Sequence, residues 1–248
     1  MDEVLASQAD GVLTLTLNRP AKMNAITTGM YVLLRRHLKE AADDFAVRCV
    51  LIKGEGANFT AGNDINDFMT HSVDVDGSDG FNFLVDLHNF PKPIVTIVQG
   101  RAIGIGTTML LHCDVVVADP TAVFSMPFVS LGLVPEAGSS YLFPQLVGHQ
   151  MASRIFLTGD SFNAYEALQM GLVSSVSENA AVEGHELAAR IAKQPPISVI
   201  NTKALLKSRN HDAVSMVMAA EAQLFTLALQ SEEAAEAFME FTMRRENK

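Results

Sequence analysis

The sequence is poor in basic residues, in aromatic residues and in cysteine. Lysine and arginine total 18 against 28 aspartates and glutamates, which gives a formal net charge of −10, and tryptophan is absent. Because proteins that bind nucleic acids present a basic face to the phosphates, this balance argues against such a role. The two cysteines, Cys49 and Cys113, lie in apolar stretches, so we predict free buried thiols rather than a disulfide.

Long hydrophobic runs and recognisable targeting segments are also lacking. No stretch of about 18 uninterrupted apolar residues occurs, and the N-terminal residues do not resemble a secretory signal. Residues 246–248 do not match the Ser-Lys-Leu type of peroxisomal address. We therefore expect a soluble, cytoplasmic protein without a membrane partner. The length of 248 residues suits one compact domain with an appendage.

Strand-like and helix-like segments alternate along the first two thirds of the chain. Alternating leucines and threonines predict a half-buried strand over 11–18, and short β-branched runs predict strands over 47–53, 94–98 and 115–118. Such alternation forms βαβ units, which predicts an α/β fold with a largely parallel sheet. Apolar periodicity predicts helices over 30–42, 81–90, 149–158, 163–170, 181–193, 197–208, 211–230 and 232–244.

The stretch between Gly100 and Tyr141 holds the most suggestive chemistry. Gly104 and Gly106 lead into a helix start, where backbone N–H groups without intrahelical partners can receive a negatively charged oxygen. Further along, Glu136 lies in a turn before a second helix start. Amide donors for an oxyanion and one carboxylate are the components needed to move a proton next to a carbonyl.

Segments of this sequence resemble a known family. They are Gly-Asn-Asp-Ile-Asn-Asp-Phe at 62–68, Phe-Val-Ser-Leu-Gly-Leu-Val-Pro-Glu at 128–136 and Ser-Ser-Tyr-Leu-Phe-Pro at 139–144. These segments are similar to the crotonase (enoyl-CoA hydratase/isomerase) superfamily, and most similar to its peroxisomal-type Δ3,Δ2-enoyl-CoA isomerases. The likeness covers almost the whole chain.

The resemblance implies an architecture and a partner. The fold is expected to be the crotonase-like repeated ββα superhelix, with residues 1–190 forming a spiral core that contains the active site. Residues 191–248 are expected to form a C-terminal helical region that packs on the core and builds a homotrimer or a hexamer. The implied substrate is an acyl-CoA thioester, with no cofactor beyond the CoA of the substrate.

The resemblance also implies an oxyanion hole made of two backbone N–H groups. One belongs to Asn63, which follows the pair Ala61-Gly62, and the other to Ile105, which follows Gly104. Glycine at such places permits close backbone approach and unusual φ angles. The loss of one donor of this kind typically lowers the rate by ~10²–10³.

The carboxylates distinguish the reactions within the superfamily. The hydratases use two glutamates, and the corresponding positions here hold Thr108 and Phe128. Glu136 instead matches the single catalytic glutamate of the peroxisomal-type isomerases, although a helix-start carboxylate favoured by the dipole is the structural alternative. The resemblance thus favours an isomerase of fatty acid β-oxidation that converts 3-enoyl-CoA to trans-2-enoyl-CoA. A hydratase, a thioester hydrolase and a non-catalytic acyl-CoA-binding protein are the alternatives.

The remaining candidates concern substrate binding. The resemblance assigns the loop 22–25 and the segment 61–65 to CoA, and three apolar side chains to a wall around the acyl chain. This wall should exclude water from Glu136 and raise its pKa, although core packing explains the same side chains. The seven histidines are scattered, so no metal site is expected. The substrate-binding candidates are Lys22, Met23, Ala25, Ala61, Gly62, Asp64, Ile65, Phe68, Phe128 and Leu131.

Overall fold

A computed structural model of the chain describes residues 2–67 and 77–246. The β-strands of the described part are Val4–Ala9 (β1), Val12–Leu17 (β2), Cys49–Gly54 (β3), Ile94–Val98 (β4), Arg101–Ile103 (β5), Val115–Ala118 (β6), Val123–Ser125 (β7), Phe162–Asn163 (β8) and Ser175–Val176 (β9). The α-helices that lie wholly within the described residues are Thr28–Asp43 (α1), Asp79–Asn89 (α2), Ile105–Thr108 (α3), Ser139–Val147 (α4), His149–Thr158 (α5), Ala164–Met170 (α6), Ala180–Ala192 (α7), Pro196–Ser208 (α8), His211–Leu229 (α9) and Glu232–Glu246 (α10). Short 3₁₀ turns occupy Pro20–Lys22, Met109–His112 and Val129–Leu131.

The strands form two sheets between which the chain alternates. The larger sheet has the order β1-β2-β3-β4-β6-β9, and all its pairs are parallel except β1 with β2. The smaller sheet has the order β5-β7-β8. Each passage from the larger to the smaller sheet forms one turn of a spiral, as at β4–β5 and β6–β7. This arrangement is the repeated ββα superhelix that the family resemblance implied.

The larger sheet is covered on both faces. On β2, Leu13, Leu15 and Leu17 belong to the main hydrophobic cluster, whereas Val12 belongs to a second cluster with residues of α7. The expectation of a half-buried β2 is therefore wrong, because α7 packs on the face that the threonines share. Covering both faces is what a parallel sheet requires.

Most predicted elements are confirmed to within two residues, and the unpredicted strands are either exposed or very short. β1 is exposed except at Val4, and the strands of the smaller sheet have two or three residues each. Segments so short cannot display the alternation that identifies a strand. Both cysteines are free, as predicted, with Cys49 buried and Cys113 half-buried.

The C-terminal helices leave many apolar side chains exposed. Ile197, Leu205 and Leu206 of α8 are 74%, 75% and 80% exposed. α9 contacts α2 and α4, and α10 contacts the turn Val129–Leu131. α9 is also long and apolar enough to cross a membrane by length and composition alone. A helix that packs on a protein core meets the same criterion, and Glu221 of α9 is buried inside the fold.

Candidate active site

Two adjoining cavities open where the two sheets meet the C-terminal helices. The larger has a volume of about 240 Å³ and contains Glu136 in its wall, and the smaller has a volume of about 100 Å³. Asn63, Ile105 and Phe225 line both cavities. The two residues predicted to supply an oxyanion hole therefore lie at the junction, with Glu136 on one side of it.

Contacts between the two glycine-containing loops place Asn63 beside the start of α3. Thr60 pairs with Ala102 in an isolated bridge, and the amide of Ile103 donates to the carbonyl of Thr60 at 3.1 Å. Gly62 has a φ of +85°, and a Cβ atom there would lie 2.7 Å from the carbonyl oxygen of Ile103. Only glycine permits this close approach without a shift of the backbone.

The amides of Asn63 and Ile105 are available to a ligand. Ile105 is the first residue of α3, so its N–H has no acceptor one turn earlier in the helix. Gly104, with a φ of +56°, turns the chain into that helix. Asn63 forms a β-bridge with Ile26, but the two hydrogen bonds of this bridge are made by the residues on either side of Asn63 and not by Asn63 itself. Across residues 2–67 and 77–246, neither amide donates a hydrogen bond.

The side chain of Asn63 is held by Tyr31, which extends from α1 into the larger cavity. The hydroxyl of Tyr31 donates to the Oδ1 atom of Asn63. Burial, followed by the negative charges of Glu136 and Asp67, raises the pKa of Tyr31 well above its usual value. Tyr31 is therefore a neutral donor, which keeps the Asn63 side chain fixed while its backbone N–H remains free to bind an oxyanion.

Glu136 is a half-buried carboxylate with an elevated pKa. Loss of water raises the pKa to about 7, and the negative charge of Glu221 adds to the rise. The Oγ1 atom of Thr108 donates to Oε1 of Glu136 at 2.6 Å and opposes that rise. Thr108 occupies the position of a hydratase glutamate in the resemblance, and here its hydroxyl orients the remaining glutamate.

The turn that follows Glu136 has an unfavourable backbone conformation and two distant anchors. Ala137 has a φ of +65°, which costs a non-glycine residue about 1 kcal/mol. Its carbonyl accepts a hydrogen bond of 2.7 Å from Nε2 of His112, a buried imidazole whose pKa burial lowers to about 3. The next amide, that of Gly138, donates to Glu221 at 2.6 Å. Residues outside the segment that contains Glu136, namely His112 and Glu221, therefore hold the turn that orients its side chain.

Three other acidic residues line the larger cavity, and each has its own partners. Asp67 accepts from the amide and the hydroxyl of Thr28 at 2.6 and 2.7 Å. Asp79 forms an ion pair with Arg35 at 2.6 Å. Glu221 accepts backbone amides. Among the described carboxylates that line the larger cavity, only Glu136 accepts its hydrogen bond from a hydroxyl alone. Each of the others accepts from a backbone amide or pairs with a cation.

The two predicted CoA-binding segments contact each other, and the segment 61–65 borders the smaller cavity, whereas no residue of the loop 22–25 lines it. The amide of Ala61 donates to the carbonyl of Met23 at 2.9 Å, which joins the loop 22–25 to the segment 61–65. Lys22 is exposed in that loop. Ala25 and Asp64 both bind Arg19, the first through its carbonyl at 2.6 Å and the second through an ion pair of 3.0 Å. The candidates that line the smaller cavity are Ala61, Gly62, Ile65, Phe128 and Leu131.

The predicted wall around Glu136 differs from the observed one. Phe128 and Leu131 line the smaller cavity, and Phe68 lies outside the described residues. The expected rise in the pKa of Glu136 is confirmed, but most of the large apolar side chains that line its cavity come from α2 and α9, because these helices close that side of the spiral. They are Phe81, Leu84, Met218, Ala222 and Phe225.

Sequence reasoning did not find three residues that support the site. Tyr31 and His112 appear in the sequence as ordinary members of apolar helical faces. Glu221 had a detectable signal, because it is the one charged residue of α9 after Asp212 in the first turn. A single carboxylate within such an apolar stretch must find hydrogen-bond donors when it is buried.

The chain is similar to known proteins along almost its whole length. The profile of the family described as enoyl-CoA hydratase/isomerase matches residues 7–248. The chain belongs to the enoyl-CoA hydratase/isomerase family. It is 35% identical over 248 residues to the 2,3-dehydroadipyl-CoA hydratase of Escherichia coli (strain K12), covering 99% of this chain and 97% of that protein.

The relatives of this chain within the enoyl-CoA hydratase/isomerase family also include isomerases. Enoyl-CoA delta isomerase 2 of Rattus norvegicus is 35% identical over 251 residues, which cover 98% of this chain and 64% of that protein. The crystal structure of an enoyl-CoA hydratase/isomerase from Pseudoalteromonas atlantica T6c superposes with a TM-score of 0.93 at 38% identity, covering 98% of both chains. The crotonase fold and an acyl-CoA thioester substrate are thereby established, whereas the relatives divide between hydratases and isomerases.

Proposed function

We propose that this chain is a Δ3,Δ2-enoyl-CoA isomerase of fatty acid β-oxidation, which converts 3-enoyl-CoA to trans-2-enoyl-CoA. The main support is the chemistry of the larger cavity. In the described ranges, Glu136 is its one carboxylate without an amide or cationic partner, and it lines the same cavity as Asn63 and Ile105, whose amides donate to none of the described residues. One base and an oxyanion hole are sufficient for moving a double bond next to a thioester.

The proposed reaction transfers one proton between two carbons. Glu136 removes a proton from C2, and the electrons of that C–H bond form an enolate whose negative oxygen binds the amides of Asn63 and Ile105. Each amide contributes about 3 kcal/mol to stabilising that charge. The carboxyl then delivers the proton to C4, so the double bond moves from C3–C4 to C2–C3 and Glu136 is again ionised.

The pKa of Glu136 suits this task. A C2 proton is only weakly acidic, so a carboxylate with a pKa of about 7 is a stronger base than an ordinary glutamate. It is still substantially ionised at neutral pH. Thr108 keeps the carboxylate oriented toward the cavity that would receive the acyl chain.

The substrate would extend from one cavity into the other across the oxyanion amides. The acyl chain occupies the larger cavity, and the pantetheine passes the smaller one, where Phe128 and Leu131 form an apolar wall. The proposal assigns the loop that contains Met23 and Ala25 to the CoA nucleotide, with the exposed Lys22 meeting a phosphate. The reaction uses no cofactor besides the CoA of the substrate.

Hydration is the second candidate, and one observation favours it. Glu221 is a further carboxylate in the cavity of Glu136, as a two-carboxylate mechanism would need. Both of its oxygens, however, accept backbone amides at 2.6 and 2.9 Å. It is therefore poorly placed to activate a water molecule.

A coupled spectrophotometric assay separates these reactions by comparing isomerisation of 3-hexenoyl-CoA with hydration of crotonyl-CoA. We expect isomerisation to be the faster reaction. Part of a deuterium label at C2 should appear at C4, because one carboxyl carries the proton between them. Strong hydration with weak isomerisation would show that the chain is a hydratase.

We also propose a cytoplasmic homotrimer or hexamer. Support comes from the exposed apolar side chains of the C-terminal helices, such as Leu206 at 80% and Leu227 at 65% exposure. Apolar surface of this extent is typical of protein interfaces. Light scattering should give a mass of three or six chains of 26.8 kDa. A stable monomer at micromolar concentration would contradict the proposal.

A further inference from the structure

Glu221 is a buried acidic residue that faces the active-site turn from a distant helix. It is 7% exposed and lies in α9, whose other residues after the first turn are uncharged. Its neighbours Met218, Ala222 and Phe225 line the same cavity as Glu136. A carboxylate in such surroundings requires strong donors, and Glu221 finds them in the segment that follows Glu136.

The donors are backbone amides at the start of α4. Oε2 of Glu221 accepts from Gly138 at 2.6 Å, and Oε1 accepts from Ser140 at 2.9 Å. The first amides of a helix have no intrahelical acceptor, and the helix dipole favours a negative charge there. Gly138, the residue before α4, has no side chain that could cap the helix. Glu221 therefore serves as the cap from 81 to 83 residues away.

We propose that Glu221 is a positioning residue for Glu136, holding the turn over 137–140 so that the Glu136 carboxylate faces the substrate carbon beside the oxyanion amides. This inference rests on the proposed function, in which Glu136 is the base. Because Glu221 and its amide donors are far apart in the chain, the hydrogen bonds between them depend on how α9 packs on α4. The negative charge of Glu221 acts on Glu136 as well.

The other titratable groups that face Glu136 and Glu221 do not cancel the negative charge of Glu221. Tyr31 of α1 and His112 of the 3₁₀ turn Met109–His112 are both neutral near pH 7, since burial raises the pKa of the phenol and lowers that of the imidazole. Asp67 is bound by Thr28, and Asp79 at the start of α2 is bound by Arg35. Removing the charge of Glu221 should therefore shift the ionisation of Glu136 to lower pH, because Glu221 raises the pKa of Glu136.

The test measures kcat and KM for 3-enoyl-CoA as a function of pH in Glu221→Gln, Glu221→Asp and Glu186→Gln. In Glu221→Gln we expect kcat to fall roughly tenfold to a hundredfold, because a misplaced base loses its alignment, while KM changes little. The acid limb of its kcat profile should move to lower pH. Glu221→Asp keeps the charge and should recover part of kcat with a limb near that of the wild type. Glu186 is exposed on α7, so its variant controls for the loss of one carboxylate.

Amide hydrogen exchange provides a readout that needs no turnover. Exchange at Gly138 and Ser140 should be faster in Glu221→Gln than in the wild type and in Glu186→Gln. If the wild type does not isomerise 3-enoyl-CoA, the proposed function fails, and exchange still decides whether Glu221 holds the turn. If the wild type isomerises but Glu221→Gln keeps wild-type kcat, pH limb and exchange, the positioning role is wrong. The positioning role is also wrong if Glu221→Gln loses kcat while the acid limb of its pH profile stays in place and Glu221→Asp recovers no kcat.

Discussion

The two sides of the reaction site are constructed differently. On the oxyanion side, Asn63 and Ile105 offer backbone amides, and their positions follow from glycines next to them and from short bridges between adjacent loops. On the base side, Glu136 offers a side chain, and its position depends on residues from other parts of the chain. Thr108 lies 28 residues away, His112 contacts a carbonyl 25 residues away, and Glu221 contacts an amide 83 residues away.

The difference indicates which changes each side tolerates. An oxyanion amide persists through most substitutions of its own side chain, because the backbone supplies the donor, but it depends strictly on a glycine neighbour. The base can be repositioned by substitutions that leave its own segment intact. The site therefore combines one half determined by local backbone geometry with one half determined by long-range packing.

The base side should show the largest single effect, upon substitution of Glu136→Gln. The amide is similar in size but cannot accept a proton from C2, so we expect isomerisation to fall ~10³–10⁴-fold, the upper range for general base catalysis. Steady-state kinetics with 3-hexenoyl-CoA measures the loss. Binding of a saturated acyl-CoA, measured by calorimetry, should be retained and serves as the control. Retention of most activity would assign the base elsewhere.

The oxyanion side should be most sensitive at Gly62, in the variant Gly62→Ala. The new Cβ atom would lie 2.7 Å from the carbonyl of Ile103 at a φ of +85°, so the loop must move and take the amide of Asn63 with it. Loss of that donor predicts a fall in kcat of about 10². Gly148→Ala is a suitable comparison, because Gly148 lies between α4 and α5 with a positive φ, of +81°, and no atom of the described residues lies within 4 Å of its Cβ position. Equal activities of the two variants would show that the close approach at Gly62 is dispensable.

Substitution of Thr108→Val should have the smallest effect and reports on the electrostatics of the base. It removes the hydrogen bond that lowers the pKa of Glu136, so this pKa should rise above its value of about 7. Because the base must be ionised, activity rises with pH through this pKa, and the variant requires a higher pH than the wild type. We expect kcat near pH 6.5 to fall roughly tenfold, with recovery at alkaline pH. Thr108→Ser, which keeps the hydroxyl, should resemble the wild type, and an unmoved pH profile in the valine variant would contradict the role of this contact.

The sequence by itself determined the local elements and the chemical groups. Alternating leucines and threonines predicted β2, and periodic apolar residues predicted the C-terminal helices to within a residue or two. The family resemblance of short motifs assigned the amides of Asn63 and Ile105 to the oxyanion hole. These features are properties of short segments, in which backbone preferences and periodicity are expressed residue by residue. The short strands of the smaller sheet were not predictable, because two or three residues have no period.

Only the tertiary structure decided where those groups lie and how they are tuned. It showed that α2 and α9, rather than Phe128 and Leu131, supply most of the large apolar side chains in the cavity of Glu136, and that Thr108 and Glu221 shift the pKa of its carboxylate in opposite directions. The pKa of a side chain depends on the water, charges and donors within a few ångströms of it. Those neighbours come from segments far apart in the chain, so their arrangement is set by the packing of helices on the spiral core.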